Sequence, residues 1–549
     1  IMRISYTLSL LSAAVIYSVP LYAAPPAIDP TLQQQLEQQQ QQQRQDQRYY
    51  QQRLQSEEKN KQDEVLKSQE PKANELADTG ASFPLHNLRF TKSRFISEEK
   101  LKELAAPYVG RNVTFAELNE LVAKINALYA QMGMVTALAV VPPQEIKEGV
   151  LEIRLVEGRL GKLRVKDNKI VDDAFYQERL NLTPHDVIDV PALRDDLQLL
   201  NHSNIAKVQA DLRAGTEPGE SDVFLHVMEP KRTLLQAFAD NNGSKSTGLY
   251  RGGLLAQVYG LAGYDDQLTV QAVGTSQAGA FNGMLQYDLP VNKRGGRLTI
   301  GYQQGDIQIV KGPFIALDIT GNSKISNLGY TQPVFQRNDF WIDAFANAGY
   351  TETDSLVSGQ SLSQFTVWRG DTGATFSQAG AGYSWQVRQA LSFANVEDLF
   401  GKTENFTLLE GSALANKLFG EKQVAVFRGA WQYSFDKALS SALLFQEGGV
   451  SSVRGYQQAA LSGSRGLYAS AEYQYRFKHL TPFTFVDAGL ISDPGATNKN
   501  ISSVGLGLRW EYANFFVCDL AWGYTLKQVA PDQDKSMLHA RLSYYWPSM

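Results

Sequence analysis

The residues with the most to say about chemistry lie in the segment Gln446-Glu447-Gly448-Gly449-Val450-Ser451-Ser452-Val453-Arg454-Gly455-Tyr456. It sits between two alternating strand patterns, in a connection that runs to about Ser464 and is much longer than a hairpin needs. Downstream, Phe485-Val486-Asp487 falls in a strand pattern from Phe483 to Leu490, with Phe485 and Asp487 on one face. Taken alone, Val453 to Tyr456 reads as an ordinary surface loop with an arginine. Catalytic groupings do not appear. The chain has six histidines and no HExxH, GxSxG or metal-spaced Cys/His cluster, so the sequence points to no enzyme, no metal site and no cofactor. His479 and His539 fall near strand ends and are expected to face solvent, while Cys518, the single cysteine, is expected to be an inert apolar side chain. Gly448-Gly449 and the pair Gly505 and Gly507 are not phosphate loops, because no helix follows them.

The elements that must position these residues follow from composition and periodicity. With 43% apolar residues in 549, a mean hydropathy of -0.28 and a net charge of -5, the chain is too polar for a bundle of membrane helices and lacks the basic excess of a nucleic-acid binder. After Ile1, which reads as an extra residue, Met2 and Arg3 lead into the apolar run Leu8 to Val19 and a small-residue site near Ala23 and Ala24, so 1-24 is read as a signal peptide. In 25-55, Asp29-Pro30 offers an N-cap and a first-turn proline ahead of a glutamine-rich stretch from Thr31 to Leu54 that would be polar nearly all round as a helix. Such a segment is either a tether or a helix in a water-filled space, where about 25 residues reach about 37 Å, the height of a barrel plug. The charged stretch 56-82, with Pro71 and Gly80, is read as a flexible linker.

Two small domains are expected at 83-158 and 159-230, because one β-α-α-β-β order occurs twice. In the first, Phe83 to Phe90, Ser97 to Ala106, Thr114 to Met132, Val135 to Val141 and Val150 to Val156 give the order; in the second, Leu163 to Val165, Asp172 to Leu180, Pro191 to His202, Ile205 to Leu212 and Asp222 to Met228 repeat it. Thr114 and Glu117 make a capping box, Ser97 with Lys100 half of one. A short sheet with helices on one face leaves an edge strand able to accept an extended chain. From 231 to 549 the pattern alternates with period two. Leu467, Ala469, Ala471, Tyr473, Tyr475 and Phe477 form an apolar face against Tyr468, Ser470, Glu472, Gln474 and Arg476, and the pattern recurs from Val504 and from Phe516 to the last strand, which ends at Trp546. Aromatic-flanked apolar faces of about ten residues favour lipid outside, and at about 20 residues per strand and connection this region holds about sixteen strands.

Val453-Arg454-Gly455-Tyr456 resembles the VRGY signature of outer-membrane transporters that carry periplasmic POTRA domains, and Phe485-Val486-Asp487 resembles the matching F-x-D motif of that superfamily. The resemblance implies that the loop folds back into the lumen and that Arg454 pairs with Asp487. Signal, helix, linker, two POTRA-like repeats and barrel together resemble the two-partner secretion branch, the TpsB family, since barrel-assembly proteins of bacteria carry more repeats. The implied fold is mainly β: a 16-stranded antiparallel transmembrane β-barrel with an N-terminal plug helix and two α+β POTRA domains. The implied function is export of one large partner exoprotein, an adhesin, haemolysin or contact-dependent growth-inhibition toxin, from a bacterial outer membrane with the N-terminal domains in the periplasm. Besides the exoprotein, the implied partners are outer-membrane lipid and the barrel-assembly machinery that inserts the chain as a monomer. The alternative is an outer-membrane protein assembly factor of the same superfamily, and a third class is a diffusion porin.

Overall fold

A computed structural model describes residues 66–68 and 82–546, apart from 218, 437, 514 and 532. The signal-peptide and plug readings at 1–55 and the last three residues lie outside the described residues. Within the stretch read as a flexible linker the structure has a strand, β1 (Leu66–Ser68). The first small domain then runs β2 (Ser82–Leu85), β3 (Asn87–Phe90), α1 (Glu98–Ala105), β4 (Arg111–Thr114), α2 (Phe115–Gln131), β5 (Ala137–Val140) and β6 (Val150–Glu157). The capping box forms: Glu117 N–H donates to Thr114 Oγ1 at 3.2 Å and Thr114 N–H to Glu117 Oε2 at 2.8 Å. Leu118, Leu121, Val122, Ile125 and Tyr129 recur at helical spacing and are buried, which lays α2 on the sheet. β4 had no alternation to reveal it: four residues, two of them exposed, pair with β2.

The second domain follows as β7 (Arg159–Lys166), α3 (Asp173–Gln177), α4 (Val190–Ser203), β8 (Lys207–Ala214) and β9 (Glu220–Met228). The duplication read from element order extends to topology. In each domain the strand before the helices runs parallel to the last strand, β3 to β6 and β7 to β9, and the strand after the helices runs antiparallel to it, β5 to β6 and β8 to β9. The second sheet has one strand more, because β1 lies parallel along β8 with Leu66 opposite Ala210 and Ser68 opposite Leu212.

The barrel begins with β10 (Thr233–Asp240), β11 (Arg251–Tyr259), β12 (Gln267–Thr275), β13 (Ala280–Pro290) and β14 (Arg297–Gln308). Five longer strands come next: β15 (Ile319–Arg337), β16 (Phe340–Val357), β17 (Gln360–Gly380), β18 (Tyr383–Asp398) and β19 (Thr403–Phe419). β20 (Gln423–Ser434) precedes a long loop with the small hairpin β21 (Phe445–Glu447) and β22 (Leu461–Gly463). The wall resumes with β23 (Arg465–Tyr475), β24 (Leu480–Ser492), β25 (Lys499–Tyr512), β26 (Phe516–Thr525) and β27 (Ser536–Tyr545). All sixteen wall strands are antiparallel neighbours in one closed sheet, sealed by Gln236 to Asp240 of β10 against Tyr545 to Arg541 of β27.

Burial identifies the outer solvent. Along β23 the apolar face is the open one, with Leu467 49% and Tyr473 44% exposed, while Ser470, Glu472 and Gln474 are 3–6% exposed. Water would select the reverse, and the same inversion recurs at Leu506, Trp522 and Leu542, so the outer face meets hydrocarbon. Closure satisfies the edge groups that lipid cannot. Every strand from β15 to β19 exceeds the roughly ten residues that cross a bilayer, so this sector stands proud of it. At the end bearing the small domains the connections are mostly short, such as 338–339, 381–382 and 420–422, whereas the opposite end carries 309–318, 435–464 and 526–535.

Candidate functional site

The loop between β20 and β23 turns inward, and its hairpin and tip pack against the inner faces of β23 to β27. Val453 is fully buried and clusters with Tyr456, Leu461, Tyr468, Ile491 and Ile501. Arg454 and Asp487, implied as partners by the resemblance, meet directly. Arg454 Nε donates to Asp487 Oδ2 at 2.8 Å and Nη2 to Oδ1 at 2.9 Å, a bidentate pair, while the Arg454 backbone N–H reaches Oδ2 at 3.1 Å. The guanidinium carbon stands 3.5 Å from the centre of the Phe485 ring, giving the shared face of Phe485 and Asp487 its use. Asp487 and Phe485 are essentially inaccessible and Arg454 is 6% exposed. A charge so placed is tolerable only when fully paired.

A second carboxylate completes that pairing. Arg454 Nη1 donates to Glu472 Oε2 at 2.6 Å, Nη2 also reaches Ser470 Oγ at 3.2 Å, and Gln474 Nε2 donates to Glu472 Oε1 at 2.7 Å. The alternation of β23 places Ser470, Glu472 and Gln474 on its inner face but assigns none of them to the arginine. The missing information is register: Ser470 lies opposite Asp487 and Glu472 opposite Phe485, a cross-strand relation that one strand's pattern does not contain. Arg428 of β20 lies 3.6 Å from Glu472 and further balances its charge.

Gly455 and Tyr456 fix the tip. Gly455 has φ 92° and lies backbone to backbone with Gly523 of β26, where a Cβ would fall 2.9 Å from the Gly523 carbonyl. Both the left-handed conformation and the close approach require glycine. The Tyr456 hydroxyl donates toward the carbonyls of Ser502 at 3.0 Å and Lys527 at 2.7 Å, bridging β25 to the β26–β27 connection. His539, expected to face solvent, is instead 5% exposed and touches this tip, because β27 turns that position inward. Gly455 N–H donates to His539 Nε2 at 3.3 Å, and His539 Nδ1 stands 3.2 Å from Asn242 Oδ1, an arrangement that suits a neutral ring protonated at Nδ1. His479 is exposed as expected, and Cys518 is half-buried. At the loop base, Glu447 is fully buried and accepts the Leu490 N–H at 3.2 Å; a Cβ on neighbouring Gly489 would collide with its carboxylate.

The second small domain is joined to the near rim by charged contacts that no sequence pattern signals. Asp265, between β11 and β12, accepts the N–H groups of Ile205 at 2.7 Å and Ala206 at 2.9 Å, the Tyr259 hydroxyl at 2.9 Å and Arg297 Nη1 at 2.9 Å. Burial pushes the Asp265 carboxyl upward, and Arg297 and the two amides oppose that shift. His202, at the end of α4, lies 2.9 Å from Asp343 and stacks on Trp341 with ring centres 4.0 Å apart. Tyr259, a barrel residue, sits in the domain's own apolar core.

Among the described residues no cluster of His, Cys, Asp or Glu is arranged to hold a metal ion. The arrangement clasps a long loop against the inner wall of the barrel.

Comparison with known proteins agrees with this architecture. Residues 83–158 match the model of the POTRA domain, ShlB-type, and 219–510 match that of the haemolysin secretion/activation protein ShlB/FhaC/HecB. The heme/hemopexin transporter protein HuxB of Haemophilus influenzae is 24% identical over 86% of this chain and 87% of its own length. The outer membrane transporter CdiB of Dickeya dadantii is 23% identical over 72% of this chain and 73% of its own. Among solved structures, CdiB from Escherichia coli superposes with a TM-score of 0.68 at 18% identity, covering 91% of this chain and 97% of that one, which shows a shared fold. With more than half of its length matched by one family model, the chain belongs to the haemolysin secretion/activation family ShlB/FhaC/HecB.

Proposed function

We propose that this chain exports a large partner exoprotein, an adhesin, haemolysin or growth-inhibition toxin, across the bacterial outer membrane by two-partner secretion. One observation carries the reading: a long loop is clasped by Arg454 and Asp487 inside a closed, lipid-facing barrel whose rim bears two strand-edged domains. Short connections at the domain end and long ones opposite match barrels whose short turns face the periplasm, so the small domains stand where an unfolded partner arrives. The partner adds a strand to a sheet edge, main-chain bonds giving affinity and side-chain pockets specificity. It then threads the barrel, and its folding outside makes return unfavourable. The sheet closes on itself, which suits a monomer inserted by the barrel-assembly machinery. Deleting 30–54 tests the plug reading of 25–55: a rise in single-channel conductance with the barrel still inserted is the expected result, and unchanged conductance would make that segment a tether.

The deciding experiment deletes the gene in its native strain and compares the culture medium. Loss of one very large exoprotein, restored by the transporter in trans, is the expected result. Depletion of many outer-membrane proteins with the medium unchanged would overturn it in favour of an assembly factor.

A further inference from the structure

The outer face of β17, β18 and β19 changes character in a regular order near the end away from the small domains. In the strand register, one outward-facing row is Thr366, Glu397 and Thr403, the next Trp368, Asn395 and Asn405, and the next Gly370, Phe393 and Thr407, with Leu391 and Leu409 beyond. Along β18 a carboxylate, an amide, an aromatic ring and an aliphatic chain succeed one another, the order expected where a wall passes from headgroups into hydrocarbon. At this level the wall has a hollow. Residues of all three strands line an open cleft of about 400 Å³ between Trp368 and Phe393, which are 60% and 52% exposed. Its floor is Gly370, where an added Cβ would meet nothing within 4 Å. Trp368 leans on Tyr350 of β16 with ring centres 4.5 Å apart. Asn395 Nδ2 donates to Asn405 Oδ1 at 2.8 Å, which keeps Asn395 Oδ1 and Asn405 Nδ2 for a third partner.

We propose that this cleft binds a glycolipid of the outer leaflet, an acylated amino sugar of the lipid A type, with one saturated chain over Gly370 between the Trp368 and Phe393 rings and the sugar against Trp368 and the asparagine pair. The cleft lies toward the end opposite the small domains, hence in the outer leaflet, which in a bacterial outer membrane is built largely of such lipids. An indole face and two amides match the apolar face, hydroxyls and amide-linked chains of an acylated amino sugar. The one basic residue of the lining, Arg369, is turned to the inner face, where Asp371, Glu410 and Ser392 hold it, so no cation in the cleft receives a bare phospholipid phosphate. Glu352 and Glu397 flank Thr366 in the row nearer the headgroups, so the glycolipid's own phosphates are met through shared divalent cations, and magnesium strengthens binding. The same strands serve the loop on their other face. Val367, Ala394 and Phe406, which alternate with the cleft residues, pack inward with Val396, Leu408 and the loop residues Ala442 and Leu443. A lipid that clamps the three strands from outside therefore steadies the seat of the loop's first turn inside.

The test uses the full-length transporter, purified in detergent and stripped of lipid, with lipid A and phosphatidylethanolamine as probes. Bound lipid is read by native mass spectrometry, and barrel stability by the midpoint of heat-modified mobility. In magnesium buffer lipid A is expected to bind at least tenfold more tightly than phosphatidylethanolamine and to raise the midpoint, and chelating the magnesium is expected to weaken it. Gly370→Leu fills the cleft where no neighbour is touched, and Asn405→Leu removes an amide from an exposed position. Each is expected to cut lipid A binding at least tenfold in a barrel that remains heat-modifiable, so the reading does not depend on one substitution folding. Val486→Ala, at an exposed position on β24 away from the cleft, is expected to bind lipid A as the unaltered protein does. Equal affinity for the two lipids would overturn the proposal and leave an unspecific lipid annulus. Unaltered lipid A binding in both cleft variants, or an equal loss in Val486→Ala, would overturn it as well.

Discussion

The loop in the lumen and the strand on the second small domain are both segments laid against a sheet, but they are held by opposite means. The loop is fixed by a buried arginine whose guanidinium donates to Asp487, Glu472 and Ser470, with aromatic and glycine contacts that admit few other residues. β1 is held by three pairs and one leucine among its described contacts. Removing one partner of a buried charge pair typically costs about 3 to 5 kcal/mol, whereas an edge strand this short loses little when it leaves. The difference lies in what each contact stands to lose: a fully paired buried charge holds the loop, whereas three strand pairs and one leucine hold β1.

The largest effect expected is at Asp487. Asp487→Ala leaves Arg454 with Glu472 as its remaining carboxylate partner, and secretion per inserted transporter should fall at least tenfold while heat-modifiable barrel remains in the membrane. The closed sheet does not depend on this pair, so failure to insert would contradict the separation of loop from wall. Next is the tip: Gly455→Val sets a branched side chain against the Gly523 backbone at positive φ, and protease access to the loop from outside should rise as secretion drops. An unchanged digestion pattern would mean the approach is relaxed by small shifts. At the weakly held contact, Leu66→Ser should speed amide exchange at the β8 edge without reducing insertion or secretion; a severe loss of either would show β1 to be structural. The smallest effect is expected at Thr114→Ala, which removes one cap and should cost the first small domain about 1 kcal/mol by denaturant titration, leaving the barrel unaffected.

Much of this contrast is legible in the sequence. Period-two alternation marked the wall, element order marked the duplication, and Thr114 with Glu117 marked the start of α2, because each is a local pattern. Arg454, Gly455, Phe485 and Asp487 were found by resemblance to a motif. Glu472 was visible as an inward residue of β23 but not as a ligand of Arg454, since that depends on β23–β24 register. His539 was misread because strand-end position says nothing about which side chain meets the loop. Asp265 with Arg297 and His202 with Asp343 join distant segments through single side chains, and no periodicity encodes them. β1 was hidden for another reason: its sequence is polar and charged around one leucine, and it becomes a strand only because β8 offers an edge.

The central claim is that Arg454 and Asp487 act as one unit that holds the loop for transport, and a double-mutant cycle tests it directly. Secreted exoprotein per inserted transporter is measured for Arg454→Ala, Asp487→Ala, the double substitution and the charge swap. A large loss is expected in each single and a double little worse than either, because the second substitution removes a partner whose contact is already gone. Normal secretion from both singles, or losses that multiply in the double, would contradict it.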